Sequence, residues 1–233
     1  MTRPRLLLTG IAEGLGADIA ATFAGAGYDV LGLSRTERCS AHIRQLVEQR
    51  GGSYTHLACD LSLAGDVTAA LERHGACVDV LVHNAHALII KPFVETTAIE
   101  FERAWRVACL GAWLSVQTVI PHMVARKQGT ILLTGATAGV RGGANFSAFA
   151  SAKFALRGLA QSLAREFGAK GVHVTHVVLD GLIDEVQTDQ RFGESSSGRM
   201  SPQAIARAYL DIATQHPSAW THEVDLRPFS ESF

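Results

Sequence analysis

The chain has 233 residues, of which 47% are hydrophobic and 18% are charged, and its formal net charge is −1 at pH 7. This length suits a single domain over residues 1–233, and this apolar content supports a sizeable core and excludes a disordered chain. The near-zero net charge excludes the strongly basic surface of a protein that binds nucleic acid or an anionic membrane.

The cysteines and the N-terminal residues indicate the cellular compartment of the protein. The four cysteines show no paired metal-ligand spacing, and no secretory signal precedes them. We therefore expect reduced thiols in a cytoplasmic protein without a metal site. We also expect no apolar run to approach the length of a membrane span, so no membrane partner is predicted.

The chain begins with an apolar strand at residues 6–8, which leads through a glycine-rich turn into a run of helix formers. Glycines allow the backbone to approach a pyrophosphate closely, and the free N–H groups at the helix start attract its charge. A plain glycine-rich turn is the alternative interpretation. The pattern predicts a nucleotide phosphate site around Thr9, Gly10, Ala12, Glu13, Gly14, Leu15 and Gly16.

Strand and helix patterns alternate along the rest of the chain, which is typical of a parallel sheet covered by helices on both faces. We predict an α/β fold of the Rossmann type, doubly wound, with seven mostly parallel strands and a crossover after strand three. A capping-box sequence at 97–100 begins the first long helix. The later strands are expected at 28–34, 53–59, 78–82, 129–134, 172–179 and 223–227, and the long helices at 99–127 and 147–169.

The second expected strand ends in Ser34-Arg35, where sheets of this type meet the adenosine ribose of a dinucleotide. An arginine there suits a 2′-phosphate, whereas an acidic residue would suit two free ribose hydroxyls. Arg35 therefore favours NADP(H). Glu13 in the glycine turn favours NAD(H), so NAD(H) remains an open alternative. A solvated loop arginine is the alternative.

The spacing Thr-Gly-x-x-x-Gly-x-Gly at 9–16 resembles that of the short-chain dehydrogenase/reductase family, and the resemblance covers nearly the whole chain. In that family an aspartate at the position of Asp60 binds the adenine amino group. The family motif Asn-Asn-Ala-Gly falls on 83–86 and matches at Asn84 and Ala85. The resemblance extends the implied cofactor site to Cys59, Leu61, Lys153, Gly181 and Ile183.

The family's catalytic motif is Tyr-x-x-x-Lys, with a serine thirteen residues before the tyrosine. Lys153 matches the lysine, but Phe149 stands at the tyrosine position and Ala136 at the serine position. Ala108 stands where the family carries an asparagine that anchors a proton-supplying water. The resemblance thus implies an atypical member without the usual acid, and a general acid is worth about 10²–10⁴ in rate.

His86 replaces the last glycine of the Asn-Asn-Ala-Gly motif and is our candidate for a replacement acid, because imidazole titrates near neutral pH. A loop histidine turned to solvent is the alternative. Asp180, Asp184 and Arg141 are weaker candidates in the same expected cleft, and Asp180 has the alternative of ordering a loop. The polar segment at about 185–200 is expected to form a mobile substrate loop.

Three functions stay open. The first is an NADP(H)-dependent oxidoreductase that transfers hydride to or from a small carbonyl or imine without a tyrosine acid. The second is a catalytically silent NADP(H)-binding regulatory or scaffold protein, and the third is a non-redox lyase or isomerase. Because the family pairs subunits through two long helices, the resemblance also implies a homodimer or homotetramer formed through 99–127 and 147–169.

Overall fold

One sheet of seven parallel strands forms the centre of the computed structural model, which describes residues 3–194 and 198–230. The strand order is β3-β2-β1-β4-β5-β6-β7, so the chain crosses back over β1 after β3. This order confirms the predicted doubly wound fold. The strands are β1 (Arg5–Thr9), β2 (Asp29–Ser34), β3 (Tyr54–Ala58), β4 (Val80–His83), β5 (Gly129–Thr134), β6 (Val172–Leu179) and β7 (Glu223–Leu226).

Helices cover both faces of this sheet. Along the chain they are α1 (Leu15–Gly25), α2 (Ser40–Gln49), α3 (Ala64–Leu71), α4 (Ala98–Trp105), α5 (Gly111–Arg126), α6 (Ser147–Phe167), α7 (Val186–Phe192) and α8 (Pro202–Ala213). The helices α1, α2 and α8 pack on one face, α3, α5 and α6 on the other, and α4 packs against α6. Short 3₁₀ turns occupy several of the connections.

The alternation of side chains along the strands divides the core into two layers. Leu6 and Leu8 of β1 point into one layer, and Leu7 points into the other. A parallel sheet buried on both faces needs apolar residues at successive positions, which is why its strands read as continuous apolar runs. The same property allowed β5 and β6 to be predicted with their observed bounds.

A π-helical turn, Arg106–Leu110, joins α4 and α5 into one continuous helical segment, Ala98–Arg126. On length and hydropathy alone this 29-residue segment could cross a membrane, which corrects the expectation that no apolar run reaches that length. Half of its most apolar stretch is buried inside the protein. Its apolar character is therefore accounted for in part by the core that it shares with α3 and α6.

The segment at about 185–200, expected to form a mobile loop over the substrate, contains helix α7 near its start. Ile183 and Met200 form a parallel bridge across the ends of this segment. Arg199 donates a hydrogen bond to the carboxylate of Asp189 on α7. Residues 195–197 of the expected loop lie outside the described residues.

Candidate functional site

The carboxyl ends of β1 to β4 open into a cleft of about 980 Å³. Open parallel sheets bind ligands at this edge, where the strand order reverses. The predicted cofactor residues that line the cleft are Gly10, Ala12, Glu13, Leu15, Gly16, Ser34, Arg35, Cys59, Asp60, Leu61, Asn84, Ala85 and Ile183. The other four predicted cofactor residues, all in the described part of the chain, stand outside this lining: Thr9, Gly14, Lys153 and Gly181.

The glycine turn has the shape that a phosphate site requires. Gly10 and Gly14 have φ angles of 75° and 83°, a region that favours glycine. A Cβ on Gly10 would lie 2.5 Å from the Cα of Ala85, so the turn packs directly against the chain after β4. Gly14 precedes α1 and supplies no side-chain cap, which leaves the first N–H groups of the helix to another acceptor.

That acceptor is the carboxylate of Glu185, which precedes α7. The backbone N–H of Leu15 donates to Glu185 Oε2 at a distance of 3.2 Å. Burial raises the pKa of Glu185, and the negative charge of Asp18 raises it further, while the bond from Leu15 lowers it. The protein itself therefore already places a carboxyl group at the start of α1.

The far end of the cleft carries charged groups after β2 and β3. The hydroxyl of Ser62 donates to Asp60 Oδ1 at 2.7 Å, and the Ser62 backbone N–H donates to the same atom at 2.9 Å. These bonds, together with Arg35 and Arg103, lower the pKa of Asp60. A helix N-cap is the other common role of an aspartate before a helix, but Asp60 does not take it, because the residue at the start of α3 is Leu63.

Lys153, Phe149 and His86 come together beside the cleft, as the motif positions predicted. Lys153 Nζ lies 5.6 Å from the centroid of the Phe149 ring. The His86 ring, which lines the cleft, meets the Phe149 ring edge-on with 5.9 Å between the centroids. Lys153 Nζ also donates to the backbone oxygen of Thr134 at 2.7 Å.

The surroundings of Phe149 are apolar. Ala136 is half-buried against Phe149, and the same group contains Leu88 and Phe146. Ala138 and Ala150 complete it. The positions where the resemblance places a tyrosine and a serine are therefore adjacent in space, and their side chains form an apolar wall.

The Lys153 amine and the His86 imidazole, which lie beside this wall, both have lowered pKa values. Lys153 is only 2% exposed, and burial lowers its pKa to about 7. The His86 ring is open to the cleft on one side, yet the protein around it and the nearby Lys153 lower its pKa below the ordinary value. Near neutral pH the amine is thus partly protonated and the imidazole is neutral, which differs from the expectation that His86 titrates near neutral pH.

His83 is a buried residue that the sequence analysis did not select. Its Nδ1 lies 2.7 Å from Thr9 Oγ1, and burial lowers its pKa to about 3, so the ring is neutral. Its Nε2 faces the backbone of Val107 and Ala108 in the π-helical turn without a well-formed hydrogen bond. His83 connects the glycine turn with this helix. Its position as the first residue of the 83–86 motif could have identified it from the sequence.

The weaker catalytic candidates are engaged in loop contacts. Asp180 is buried, accepts a hydrogen bond from Thr137 Oγ1 at 2.6 Å, and forms ion pairs with Arg141 at 3.2 Å and Arg227 at 3.1 Å. Asp184 is exposed and faces Arg199 at 3.9 Å. These contacts support the alternative reading in which Asp180 orders a loop.

The helices α4 and α7 bring polar residues to the cleft that were not named from the sequence, although those of α7 fall in the segment expected to lie over the substrate. Their chain positions belong to no motif, and only the packing of the two helices places them there. They are Glu100, Arg103, Gln187, Thr188, Gln190 and Arg191. Arg191 also donates to the backbone oxygen of Leu88 at 3.3 Å, which ties α7 to the chain beyond β4.

The sheet order and the glycine turn define a dinucleotide-type α/β protein, and comparison with known proteins identifies its family. The model of the family described as short chain dehydrogenase matches residues 5–194. The chain belongs to this family of oxidoreductases.

Individual relatives agree with this assignment. A fatty acyl-CoA reductase of Acinetobacter baylyi is 29% identical over 182 residues, which make up 74% of this chain but only 60% of that protein. A short-chain dehydrogenase from Rhodopseudomonas palustris has a TM-score of 0.84 and 34% identity, over 98% of this chain and 100% of that one. A metagenomic short-chain oxidoreductase in complex with NADP has a TM-score of 0.83 and 27% identity, over 98% of each chain.

Proposed function

We propose that this protein is an NADP(H)-dependent oxidoreductase that transfers hydride to or from a small carbonyl or imine without a tyrosine acid. This proposal is supported chiefly by the burial, the contacts and the lowered pKa of Lys153. The amine is buried beside Phe149 and His86, it is held by the Thr134 carbonyl, and its pKa is about 7. A group with that pKa can give or take a proton at neutral pH.

The residues of the cleft fit a dinucleotide phosphate. Arg35, with Arg103 close by, offers positive charge for a 2′-phosphate, and the ionised Asp60 can accept from an adenine amino group. The uncapped start of α1 suits a diphosphate. The family resemblance assigns Lys153 to the nicotinamide ribose, and its amine lies beside the cleft, where it donates to the Thr134 oxygen. The NADP complex of the metagenomic relative supports this choice. When bound, NADPH supplies the hydride.

The chain's own nitrogen groups would handle the proton. As the acid, Lys153 would pass its proton to one ring nitrogen of His86, and the other ring nitrogen would release its own proton to the substrate oxygen, so that the imidazole ends neutral. An iminium substrate would need no proton, because the arriving hydride neutralises its charge. The apolar wall of Ala136 and Phe149 would lie against the substrate and exclude water from it.

A reductase assay tests this function. Purified protein is titrated with NADPH and NADH, and NADPH oxidation is then measured against panels of carbonyl and imine compounds. We expect tighter binding of NADPH and oxidation with at least one compound. His86→Ala should lower that rate by about 10²-fold, whereas His122→Ala, at an exposed histidine on α5, should not change it. Full activity of His86→Ala would remove the imidazole from the mechanism.

The second candidate, a catalytically silent NADP(H)-binding protein, is favoured by the apolar side chains of Ala136 and Phe149. Binding of NADPH without oxidation by any compound would support it. The paired change Ala136→Ser with Phe149→Tyr should then create ketone reduction, while Phe149→Tyr alone should not, because nothing would orient the carbonyl. Turnover of a substrate without any change in NADPH would instead indicate a lyase or isomerase.

We also propose a cytoplasmic location. The four cysteines are unpaired in the structure, and two of them, Cys59 and Cys109, are buried. Burial raises the pKa of the Cys59 thiol to about 11, which disfavours the reactive thiolate. Unpaired and unreactive thiols are typical of proteins from a reducing compartment.

A further inference from the structure

We infer that the Glu185 carboxylate occupies the diphosphate position of the cleft in the free protein, so that Glu185 sets the affinity for NADP(H). This inference rests on the proposed cofactor. It starts from two contacts of one atom. Glu185 Oε2 accepts the hydrogen bond from Leu15 N at 3.2 Å, and a Cβ on Gly14 would overlap the same oxygen. The oxygen therefore lies in the space that the glycine turn leaves open.

The start of α1 is where a diphosphate gains most from the protein. The first N–H groups of a helix lack partners within it, and the helix dipole places partial positive charge at that end. Gly14 supplies no side-chain cap. A carboxylate and a phosphate oxygen would use the same N–H group and the same charge, so the two compete directly.

The carboxylate is poised to leave this position. Burial and the neighbouring Asp18 raise the pKa of Glu185 in spite of the bond from Leu15. Glu13 lies in the same turn and lines the cleft. A diphosphate that arrived while all three carboxylates remained in place would meet strong repulsion. Glu13 is exposed and can face solvent, whereas Glu185 holds the Leu15 N–H that the diphosphate needs and must leave it.

Glu185 also belongs to the substrate side of the cleft. The backbone oxygen of Glu185 accepts from Thr188 N at 2.9 Å, so this residue begins α7. The same helix carries Arg191, which lines the cleft and binds the Leu88 oxygen. The residue that would leave the diphosphate position therefore also begins the helix that lines the substrate side of the cleft.

The test compares Glu185→Gln and Glu185→Thr with Asp184→Asn. Asp184 is the adjacent exposed carboxylate, and its recorded ion pair is with Arg199, away from the glycine turn. The dissociation constant for NADPH is measured by fluorescence titration of the whole protein. We expect both Glu185 variants to bind NADPH about tenfold more tightly than the native protein, and Asp184→Asn to bind it with unchanged affinity.

Inorganic pyrophosphate serves as a second probe, with the rise in melting temperature as its readout. We expect a larger rise for both Glu185 variants than for the native protein. Equal NADPH affinities and equal pyrophosphate shifts in all proteins would overturn the inference. A larger pyrophosphate shift in the variants, with no NADPH binding to any protein, would uphold the role of Glu185 and overturn the proposed cofactor.

Discussion

At the scale of single residues, Lys153 is placed where a positive charge is costly. Burial lowers its pKa from 10.5 to about 7, so the fold disfavours the charged amine. Between these two pH values the unfolded chain binds a proton that the folded chain lacks. Stability therefore rises with pH over this window, and the penalty is fully present below about pH 7.

Lys153→Met, which removes the titrating amine and keeps a long side chain, should stabilise the protein near neutral pH. We expect a gain on the order of a few kcal/mol below about pH 7, reduced by about 1 kcal/mol for the lost bond to Thr134. The gain should shrink as the pH rises towards 10.5. The free energy of unfolding is measured in urea over this range, with the surface variant Lys170→Met as the control. A gain that does not depend on pH would show that the pKa of Lys153 is not lowered.

The sequence could predict which residues meet at the site where motif spacing carries the information. Lys153 and Phe149 are four residues apart on one helix, and His86 follows a strand whose end faces the cleft, so their proximity was predictable. The contact between Glu185 and Leu15 was not, since it joins residues 170 positions apart and belongs to no motif. The protonation of Lys153 and His86 depends on burial in the folded protein, which no local pattern contains.

At the scale of secondary-structure elements, the beginning of α4 shows how a short sequence sets a boundary. Thr97 Oγ1 accepts from Glu100 N at 3.2 Å, and Glu100 Oε2 accepts from Thr97 N at 3.0 Å. This is the predicted capping box. Lys91 Nζ donates to the other oxygen of Glu100 at 2.5 Å, which ties the preceding chain to the same helix start.

Thr97→Ala should destabilise the protein by about 1 kcal/mol, because the N–H of Glu100 loses its acceptor at the helix start. Thr97→Ser keeps the hydroxyl and should remain within a few tenths of a kcal/mol of the native protein. The midpoint of urea unfolding measures both changes. Equal losses for alanine and serine would mean that the methyl group of Thr97, rather than its hydroxyl, stabilises this end of α4.

Element boundaries were predictable to different degrees. Glycines and continuous apolar runs predicted the bounds of β5 and β6, and the capping box predicted where α4 begins. The π-helical turn at Arg106–Leu110 was not predicted, because the apolar pattern on either side of it continues without interruption. The helix α7 was missed because its polar sequence resembles that of a loop, and its start is set by the backbone oxygen of Glu185.

At the scale of the whole molecule, we propose a single domain, since the strands of one sheet come from Arg5 through Leu226. Large apolar side chains remain exposed on the two long central helical segments. Trp113 on α5 is 43% exposed and Phe154 on α6 is 44% exposed, and Ile99 and Trp105 on α4 add to them. Apolar surface of this kind on soluble proteins marks an interaction site.

This exposed apolar surface is where we expect the subunits to pair. We expect the 24.9 kDa chain to form a homodimer or homotetramer through these helices, with the same residues contributed by both subunits. The double change Trp113→Arg with Phe154→Arg places a charge on both helices of the contact and should shift the assembly to monomers, because neither arginine would find a partner when buried.

His122→Arg is the control, since His122 follows Trp113 by nine residues on α5 and its side chain therefore points to the opposite side of the helix. Light scattering at micromolar concentration measures the mass. A native protein with the mass of one chain, or a double variant that keeps the native mass, would show that the helices do not form the interface.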